Sequence, residues 1–494
     1  MNQLTRRQWL RSASVLTTLP FLPGWEPNRP LFPYRYLVAK NPGKIPEVPV
    51  YIPFDWVAAR VPTEGKGLRL QWEKTSVTKG VRLRLTSATD VREETRIQVR
   101  TARSGKSIGE FDIRYAVYMQ PYELLVPDEL VPDIMQEGVV LHQSHGQKPF
   151  YVFTAGTTSQ SAPAAYLPHL LLPGSGPASD AWKDRLLSLE SLQTFGWMHG
   201  CNLDGIHELS KNSRRAREVL QAHLAMYFGK QDLVYANLNN QKTTNQVNGV
   251  ESLLPFAILA QSQPNHPLLK LAIDFSSSHV DARGVIADGQ GNRPIKTEEC
   301  YTVSYPLAVM ARLLNQPELA ALSISTLKAR VERLDREETI YQRTLEQGEP
   351  QYPNWGRGVV WYLLGLAKTL HHLPEDEQTR LLRAVFRSAV TRVLARQQPN
   401  GLWYCFTDQP DTGFETSGSA GIAAALAYGH RYGLLPDRVL PHIERTRRGL
   451  QPYLTPDGYL TGTAQANKGG PALQTGGYRV ISPYTLGFLA HFMK

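Results

Sequence analysis

The 494-residue sequence has only three cysteines and no apolar run long enough to cross a bilayer. Cys201, Cys300 and Cys405 lie far apart, which excludes a scaffold held by several disulfides and a zinc site of closely spaced cysteines. No stretch approaches the roughly 18 apolar residues of a membrane-spanning helix, so we expect no membrane span. The sequence also lacks the ligand spacing of a metal site, and we expect a site that uses no metal or cofactor.

The composition excludes disordered and collagen-like chains. Hydrophobic residues make up 42% and charged residues 20%, and the 38 Gly and 35 Pro are scattered rather than periodic. The chain carries 54 Lys and Arg against 44 Asp and Glu, and this net charge of +10 predicts an anionic partner. The basic run at 211–217 lacks the interleaved aromatic residues of a nucleic-acid groove. We therefore expect an acidic oligosaccharide partner and no nucleic acid, while the oligomeric state is not indicated.

The first residues are typical of an export signal. Arg6 and Arg7 precede Trp9, Leu10 and a modest apolar stretch, a pattern that resembles the twin-arginine export signal. We interpret residues 1–28 as this signal and expect a periplasmic or extracellular protein. The alternative is a basic N-terminus without a targeting role.

The remaining chain divides by hydrophobic periodicity into two parts. Residues 29–170 contain runs that alternate apolar and polar side chains, as at 68–72 and 81–85, and they predict an antiparallel β-sandwich-like domain. Residues 171–179 are rich in Pro and Gly and predict a linker. Residues 180–494 change to helical periodicity, with helices predicted at positions such as 207–229 and 481–493.

A short motif recurs within the helical part and predicts its architecture. Similar turns at 283–286, 337–341, 400–404 and 457–460 are separated by about 60 residues, the length of a helical hairpin with its loops. Six such hairpins fit into residues 180–494. We therefore expect a closed (α/α)6 toroid, although an open solenoid has the same pattern.

The densest group of candidate site residues lies at the start of one predicted helix. Trp355, Arg357 and Trp361 combine two aromatic faces that can pack on a sugar ring with a guanidinium that can hold a carboxylate. This combination suits a uronic acid. The alternative is that the two tryptophans belong to the core and that Arg357 pairs with a structural acid.

Other candidate residues also have structural explanations, which are the more common ones for such residues at such positions. Glu298 and Glu299 precede a helix and could supply a proton, although paired acids are also common at helix starts. Trp403 and Glu415 accompany another helix start, where the carboxylate could act as a cap. His199 could line the mouth of the toroid or pack in its core.

Three motifs in order resemble those of the unsaturated glucuronyl and rhamnogalacturonyl hydrolases. The segment WGRGVVW at 355–361 resembles the family's W-x-R-G-x-x-W, and GLW at 401–403 followed by ETSGSA at 415–420 resembles its later motifs. The resemblance covers roughly 245–462. It implies an (α/α)6 toroid and hydrolysis of glycans that end in a 4,5-unsaturated uronic acid.

The resemblance also implies roles for individual residues. In the family an aspartic acid protonates the vinyl ether, water adds at C5, and the resulting hemiketal collapses. The matching position here is Glu299, which we expect to be the proton donor. A second family carboxylate corresponds to Asn248 and a family histidine to Gln342, so two groups around the reacting carbon differ, as does the C-terminal motif at 481–487.

The expected function is therefore the release of a terminal uronic acid, saturated or unsaturated, from acidic oligosaccharides by a divergent member. Arg357 would hold the carboxylate, and Trp355 and Trp361 the ring. A saturated substrate would require a second carboxylate, for which Glu298 and Glu415 are candidates. The alternatives are a toroid-type polysaccharide lyase and a glycan-binding protein without catalysis.

Overall fold

The computed structural model describes residues 36–40, 48–156, 161–173, 180–288, 294–345 and 348–493. The export signal predicted at 1–28 and most of the linker predicted at 171–179 lie outside the described residues. Phe32–Lys494 form one compact unit. The division into a β domain over 29–170 and a toroid over 180–494 therefore stays a prediction.

The N-terminal part is built from antiparallel strands that share one apolar core. Its strands are β1 Tyr36–Val38, β2 Ala58–Val61, β3 Leu68–Leu70, β4 Arg82–Thr86, β5 Glu94–Thr101, β6 Ser107–Arg114, β7 Pro121–Leu125, β8 Val139–His145, β9 Phe150–Phe153 and β10 His169–Leu171. They pair in the orders β1-β10-β4-β7, β3-β8-β5-β6 and β2-β9. Alternate residues of β5 are buried, and side chains from all three sheets enter the same core. We call residues 36–171 the β region.

The C-terminal part is mainly helical. One short helix, α1 Val131–Glu137, lies within the β region. The others are α2 Ala181–Leu186, α3 Trp197–Ser210, α4 Arg214–Tyr227, α5 Leu254–Ser262, α6 Leu269–Ser278, α7 Tyr305–Leu314, α8 Pro317–Leu334, α9 Gly356–His372, α10 Glu377–Leu394, α11 Thr416–Arg431, α12 Leu440–Leu450, α13 Pro471–Thr475 and α14 Thr485–Leu489. Short two-stranded ribbons connect several of them.

Six of these helices close into a ring. Helices α3, α5, α7, α9, α11 and α14 each contact the next in this order, and α14 contacts α3. Each inner helix packs against one outer helix: α4, α6, α8, α10 and α12 in turn, with α2 against α14. The inner α9 is buried on every side from Gly356 to Leu370, whereas the outer α10 buries one face. The predicted (α/α)6 toroid is confirmed, and its ring is closed.

Two of the predicted helices are wrong in extent. The helix predicted at 207–229 is divided, because α3 ends at Ser210 and the side chain of Ser213 accepts the N–H of Ala216 to begin α4. The helix predicted at 481–493 is reduced to Thr485–Leu489. Within the described residues, no helix has both the length and the apolar content to cross a membrane.

A buried ionic cluster joins the β region to the toroid. Asp457 of the toroid accepts hydrogen bonds from Arg84 of β4 at 2.5 Å, from Arg185 of α2 at 3.2 Å and from the hydroxyl of Tyr36 at 2.8 Å. Both arginines and Asp457 are inaccessible to solvent. We call Asp457 and these three partners the junction cluster. It fixes the β region against the toroid, because Asp457 would lose the hydrogen bonds from Arg84 and Tyr36 if the two parts separated.

Candidate functional site

A cavity of about 650 Å³ lies at the end of the toroid where several inner helices begin. Trp197 begins α3, Glu251 lies in the turn before α5, Glu298 precedes α7, and Trp355 precedes α9. All four line the cavity. The inner helices of the ring therefore bring residues that are distant in sequence to one mouth, as the repeat pattern predicts.

Tryptophans form one side of the cavity. Trp355 and Trp361 line it but are only 2% exposed each, so their rings are largely held in the protein. Trp197 is half-buried and contacts Trp361 edge to face, with ring centroids 5.3 Å apart. Tyr484 packs on Trp197 with centroids 4.8 Å apart. Trp197 thus offers the more accessible face for a sugar ring, and the sequence motif did not identify it as part of this group.

Arg357 lines the cavity but is already anchored. Its guanidinium donates to the backbone oxygens of Ala464 at 2.6 Å and Gln465 at 2.7 Å, and to the hydroxyl of Tyr484 at 3.1 Å. The same group lies over the ring of Trp355, 4.6 Å from its centroid. These contacts engage three of the five N–H groups of an arginine. Arg357 is therefore held rigidly at the cavity wall.

Glu298 is an acid of the cavity with an environment suited to proton donation. Its two carboxyl oxygens accept hydrogen bonds from the side-chain amide of Gln342 at 2.7 and 2.9 Å. Burial, followed by the nearby charge of Glu251, raises the pKa of Glu298 to about 7. Lys296 and the Gln342 amide act in the opposite direction but do not cancel this rise. The carboxyl is therefore partly protonated near neutral pH.

Two further acids surround a lysine beside Glu298. The ammonium of Lys296 lies 3.6 Å from Glu251 and 3.2 Å from Asp288, and both acids line the cavity. Their charges, with those of Glu298 and Glu299, contribute to a raised pKa of Lys296 although burial lowers it. Lys296, Glu251 and Asp288 have no sequence signal, because they belong to no spacing pattern and meet only through the loops of the fold.

Glu299 does not face the cavity. It is fully buried, and its carboxylate accepts from Arg330 at 2.6 Å and from the backbone N–H of Lys296 at 2.9 Å. It is not among the residues that line the cavity. The expectation that Glu299 is the proton donor does not fit this position, because its carboxylate is bound by Arg330 and does not line the cavity. Glu298 and Glu299 are adjacent in sequence, and of the two only Glu298 lines the cavity.

Gln342 and Asn248, which replace a family histidine and a family carboxylate in the resemblance, both lie at this site. Gln342 is buried on the strand Thr339–Thr344 and contacts Glu298, as described above. Asn248 is exposed, lines the cavity, and donates its side-chain amide to Thr243 at 2.9 Å. Their predicted place beside the site is consistent with these contacts.

Three other candidates have structural contacts instead. His199 is buried and stacks on His223 with centroids 5.3 Å apart, and burial holds its pKa well below the ordinary value. Trp403 is buried and donates its indole N–H to the backbone oxygen of Val393 at 2.8 Å. Glu415 caps α11 and accepts the N–H groups of Ser417, Gly418 and Ala464. None of the three lines the cavity, so the structure corrects their expected contact with substrate.

The β region and the last toroid loops supply a second, basic side of the cavity. Arg92 and Val117 of the β region line it, as does Lys468. Asp90 lies between the two cations, 3.1 Å from Arg92 and 3.0 Å from Lys468. The cavity is therefore lined both by acids and by a basic pair.

The described residues contain no group of three or more His, Cys, Asp or Glu placed to hold a metal ion. Cys201, Cys300 and Cys405 are free and buried. Burial raises the pKa of each thiol, so none is a reactive thiolate.

Comparisons with known proteins agree with the toroid fold. The model of Glycosyl Hydrolase Family 88 matches residues 179–487, more than half of the chain. An unsaturated 3S-rhamnoglycuronyl hydrolase of Formosa agariphila is 30% identical over 139 residues, which cover 25% of this chain and 37% of that protein. An unsaturated rhamnogalacturonyl hydrolase of Bacillus subtilis is 37% identical over 76 residues, covering 15% of this chain and 21% of that protein. These matches span about a third or less of each relative.

Solved structures show the same fold at low identity. A family 105 glycoside hydrolase of C. acetobutylicum ATCC 824 superposes with a TM-score of 0.55 at 19% identity, covering 64% of this chain and 98% of that one. A chain described as a polysaccharide lyase superposes with a TM-score of 0.52 at 17% identity, covering 64% and 94%. The likeness extends to proteins described by different reactions, so it carries the fold alone.

Proposed function

The chain belongs to Glycosyl Hydrolase Family 88, and from this premise we propose that it hydrolyses acidic oligosaccharides that end in a 4,5-unsaturated uronic acid. Glu298 is the proton donor in this proposal. The observation that carries it is the environment of Glu298, a cavity acid whose pKa is raised to about 7. A general acid is most effective when its pKa lies near the working pH.

The reaction needs only one carboxyl group. Protonated Glu298 gives its proton to C4 of the ring double bond, and positive charge develops at C5 and the ring oxygen. Water adds at C5, and the Glu298 carboxylate accepts the proton that this water loses. The product is a hemiketal, which opens and releases the remaining sugar. The acid is thereby restored to its starting state.

The walls of the cavity support the binding of a uronic acid ring. Trp197 offers an accessible aromatic face, and Trp361 fixes its orientation from behind. Arg357 is held by backbone oxygens, and its remaining N–H groups serve the substrate carboxylate. Trp355 stays a supporting residue beneath this guanidinium, since its own indole N–H is donated to Gln474 at 3.2 Å.

A saturated uronic acid is the second candidate substrate. Its hydrolysis needs a second carboxylate, and Glu251 lines the same cavity as Glu298. Product analysis separates the two candidates, because only the unsaturated substrate loses its ultraviolet absorbance when the double bond is hydrated.

A lyase reaction has less support. It would need a Tyr or His base, and the cavity lining within the described residues contains Tyr235 and no histidine. The hydroxyl of Tyr235 is engaged with Gln246 and Asn248, and burial raises its pKa to about 12. This hydroxyl is a poor base near neutral pH.

The test compares three variants on unsaturated uronyl disaccharides by loss of ring absorbance. We expect Glu298→Gln to lower kcat/KM by roughly 10²–10⁴-fold, because it removes the proton donor. Asp288→Asn, a neutral substitution of another acid in the same cavity, should stay within about tenfold of the wild type. Glu299→Gln tests the earlier assignment, and its activity is normalised to folded protein. Turnover by Glu298→Gln at the wild-type rate would reject Glu298 as the donor. If the wild type and all variants bind the disaccharides without turning them over, catalysis is rejected.

We also propose that the protein acts outside the cytoplasm. The support is the segment at 5–11, which resembles a twin-arginine signal. Fractionation of cells that express the wild type and an Arg6→Lys, Arg7→Lys variant tests this. We expect only the wild type in the exported fraction.

A further inference from the structure

We propose that Arg92 of the β region and Lys468 form an anion-binding subsite for the sugar unit next to the scissile bond. The ligand is a sulfate or carboxylate group on that second sugar. This inference rests on the proposed function, since it assigns the second sugar of the same substrate. It concerns a residue outside the segment 179–487 that matches the family.

The two cations are held in fixed positions by one buried carboxylate. Asp90 is inaccessible to solvent and accepts from Nε of Arg92 at 3.1 Å and from Nζ of Lys468 at 3.0 Å. Two cations around one anion leave a net positive charge at this wall. An anion that binds here therefore meets a net positive charge, because Asp90 neutralises only one of its two partners.

The loop that carries Asp90 is itself anchored to the toroid. The backbone N–H of Asp90 donates to the side-chain oxygen of Asn240 at 2.7 Å, and the side-chain amide of Asn240 donates back to the Asp90 carbonyl at 3.0 Å. Asn237 and Asn239 of the same toroid loop line the cavity. The basic pair is thus part of a rigid wall in which the β region and two toroid loops meet.

Both cations remain accessible from the cavity. The side chain of Arg92 is 41% exposed and that of Lys468 is 26% exposed, and both residues line the cavity. Within the described residues, the hydrogen bond of Arg92 to Asp90 uses Nε, and its two terminal nitrogens face no carboxylate partner. These terminal groups can form the paired contacts that arginine makes with sulfate or carboxylate.

The position of this pair fits the second sugar rather than the first. The first sugar has its own groups at Glu298, Trp197 and Arg357, as argued above. Glu251 connects the two sides, because its charge acts on the pKa of both Glu298 and Lys468. Burial is the largest influence on Lys468 and lowers its pKa, while Asp90 and Glu251 oppose that change. The basic pair therefore lines the same cavity as Glu298, and we assign it to the second sugar because the first sugar already has its own groups.

The test uses three unsaturated uronyl disaccharides whose second sugar is neutral, sulfated or a uronic acid. For the wild type we expect a lower KM on one or both charged substrates than on the neutral one. Arg92→Gln should raise KM for the favoured charged substrate about tenfold or more, with kcat unchanged and the neutral substrate within about twofold. Arg100→Gln is the matched control, because Arg100 is an exposed arginine of the same β region that does not line the cavity.

Lys468→Met is the second variant and should act on the same substrate as Arg92→Gln. The two charged substrates distinguish the ligand. A rise in KM confined to the sulfated substrate identifies sulfate, and a rise confined to the uronic substrate identifies carboxylate. Equal losses on all three substrates, or no loss in either variant, would overturn the subsite.

Calorimetry separates this inference from the proposed reaction. The same three disaccharides are titrated into Glu298→Gln with and without Arg92→Gln. If the wild type turns over none of them, the proposed reaction fails, while a charge-selective loss of binding in the Arg92 variant still supports the subsite. If turnover is observed but Kd does not respond to Arg92→Gln, the subsite alone is rejected.

Discussion

Two buried parts of the molecule treat a carboxyl group in opposite ways. At the mouth of the toroid, Glu298 has an amide and a second acid as near neighbours, and its pKa rises to about 7. In the junction cluster, Asp457 lies between Arg84 and Arg185, and these cations hold its pKa well below the ordinary value. Burial alone raises the pKa of both groups. The neighbouring charge therefore decides whether a buried acid stabilises the fold or stores a proton.

A third carboxylate supports this distinction. Asp204 lies inside the ring, 2.7 Å from Lys368, and accepts from the hydroxyl of Tyr301 at 2.5 Å. Lys368 and His491 lower its pKa against the effect of burial. Asp204 thus belongs with Asp457 as a structural acid, which leaves Glu298 as the contrasting case.

The largest expected effect comes from breaking the junction cluster. Asp457→Asn should lower the free energy of unfolding by about 3 kcal/mol, because Arg84 and Arg185 stay buried and lose one carboxylate, although Arg84 keeps Glu123 and Arg185 keeps Glu190. The native pKa of Asp457 is lowered, so its contribution is present above the unfolded value of about 3.9 and is lost as the pH falls through the native pKa. Urea unfolding at pH 7 and at about pH 2.5 measures the difference in the free energy of unfolding between the wild type and Asp457→Asn, which should narrow at the lower pH.

The control breaks an ion pair at the surface. Glu444 is 46% exposed and pairs with Arg447 at 2.7 Å. Glu444→Gln should change the free energy of unfolding by less than about 1 kcal/mol, because exposed pairs contribute little. Equal losses of unfolding free energy in Asp457→Asn and Glu444→Gln would show that burial does not determine how much an ion pair stabilises the fold.

The second prediction concerns how the protonation of Glu298 changes the stability of the fold. The pKa of Glu298 is about 7 in the native state against an ordinary value of 4.5, so the native state binds its proton more tightly. Stability therefore falls as the pH rises between these values and is constant above them. Glu298→Gln should raise the free energy of unfolding by roughly 1–3 kcal/mol at pH 8, with the gain absent at pH 4. Thermal and urea unfolding of both proteins at the two pH values check this, and a loss at pH 8 would contradict it.

The helical repeat and the closed toroid could be predicted from sequence because both rest on local periodicity. The inner α9 and outer α10 show the two burial patterns that this periodicity implies. The break at Ser213 was missed because helical side chains continue on both sides of it, and only the cap hydrogen bond marks the new start. The alternation in the β region identified strands, but the clustering of contacts unites this region with the toroid.

The candidate site was predicted less completely, since contacts between distant loops define it. Trp355, Arg357 and Trp361 of the motif line the cavity, but Glu299 was chosen over Glu298 by its spacing from Pro306. Spacing cannot tell which of two adjacent acids faces a cavity and which meets Arg330. Arg92, Glu251 and Lys468 had no sequence signal, because each comes from a different loop and has meaning only beside the others.

The third prediction changes the acid that raises the pKa of Glu298. Glu251→Gln removes a negative charge, so protonation of Glu298 becomes less favourable and its pKa falls. The high-pH limb of kcat/KM should move to lower pH by up to about one unit. Asp288→Asn is the control, because Asp288 also pairs with Lys296 but is not among the main influences on Glu298. A shift to higher pH in Glu251→Gln would contradict the assigned electrostatics.

The smallest effect is expected from the amide that contacts Glu298. Gln342→Met removes a donor that favours the charged carboxylate, so the pKa of Glu298 rises and the same limb of kcat/KM moves to higher pH by about half a unit. Methionine fills a similar buried volume, and urea unfolding confirms that packing is kept. Glu251→Gln and Gln342→Met then shift the pH profile of kcat/KM in opposite directions. In the double variant with Glu251→Gln the limb should lie between the two single values, because both substitutions act on one proton of one carboxyl. A double variant outside that interval would show that the profile reports another group than Glu298.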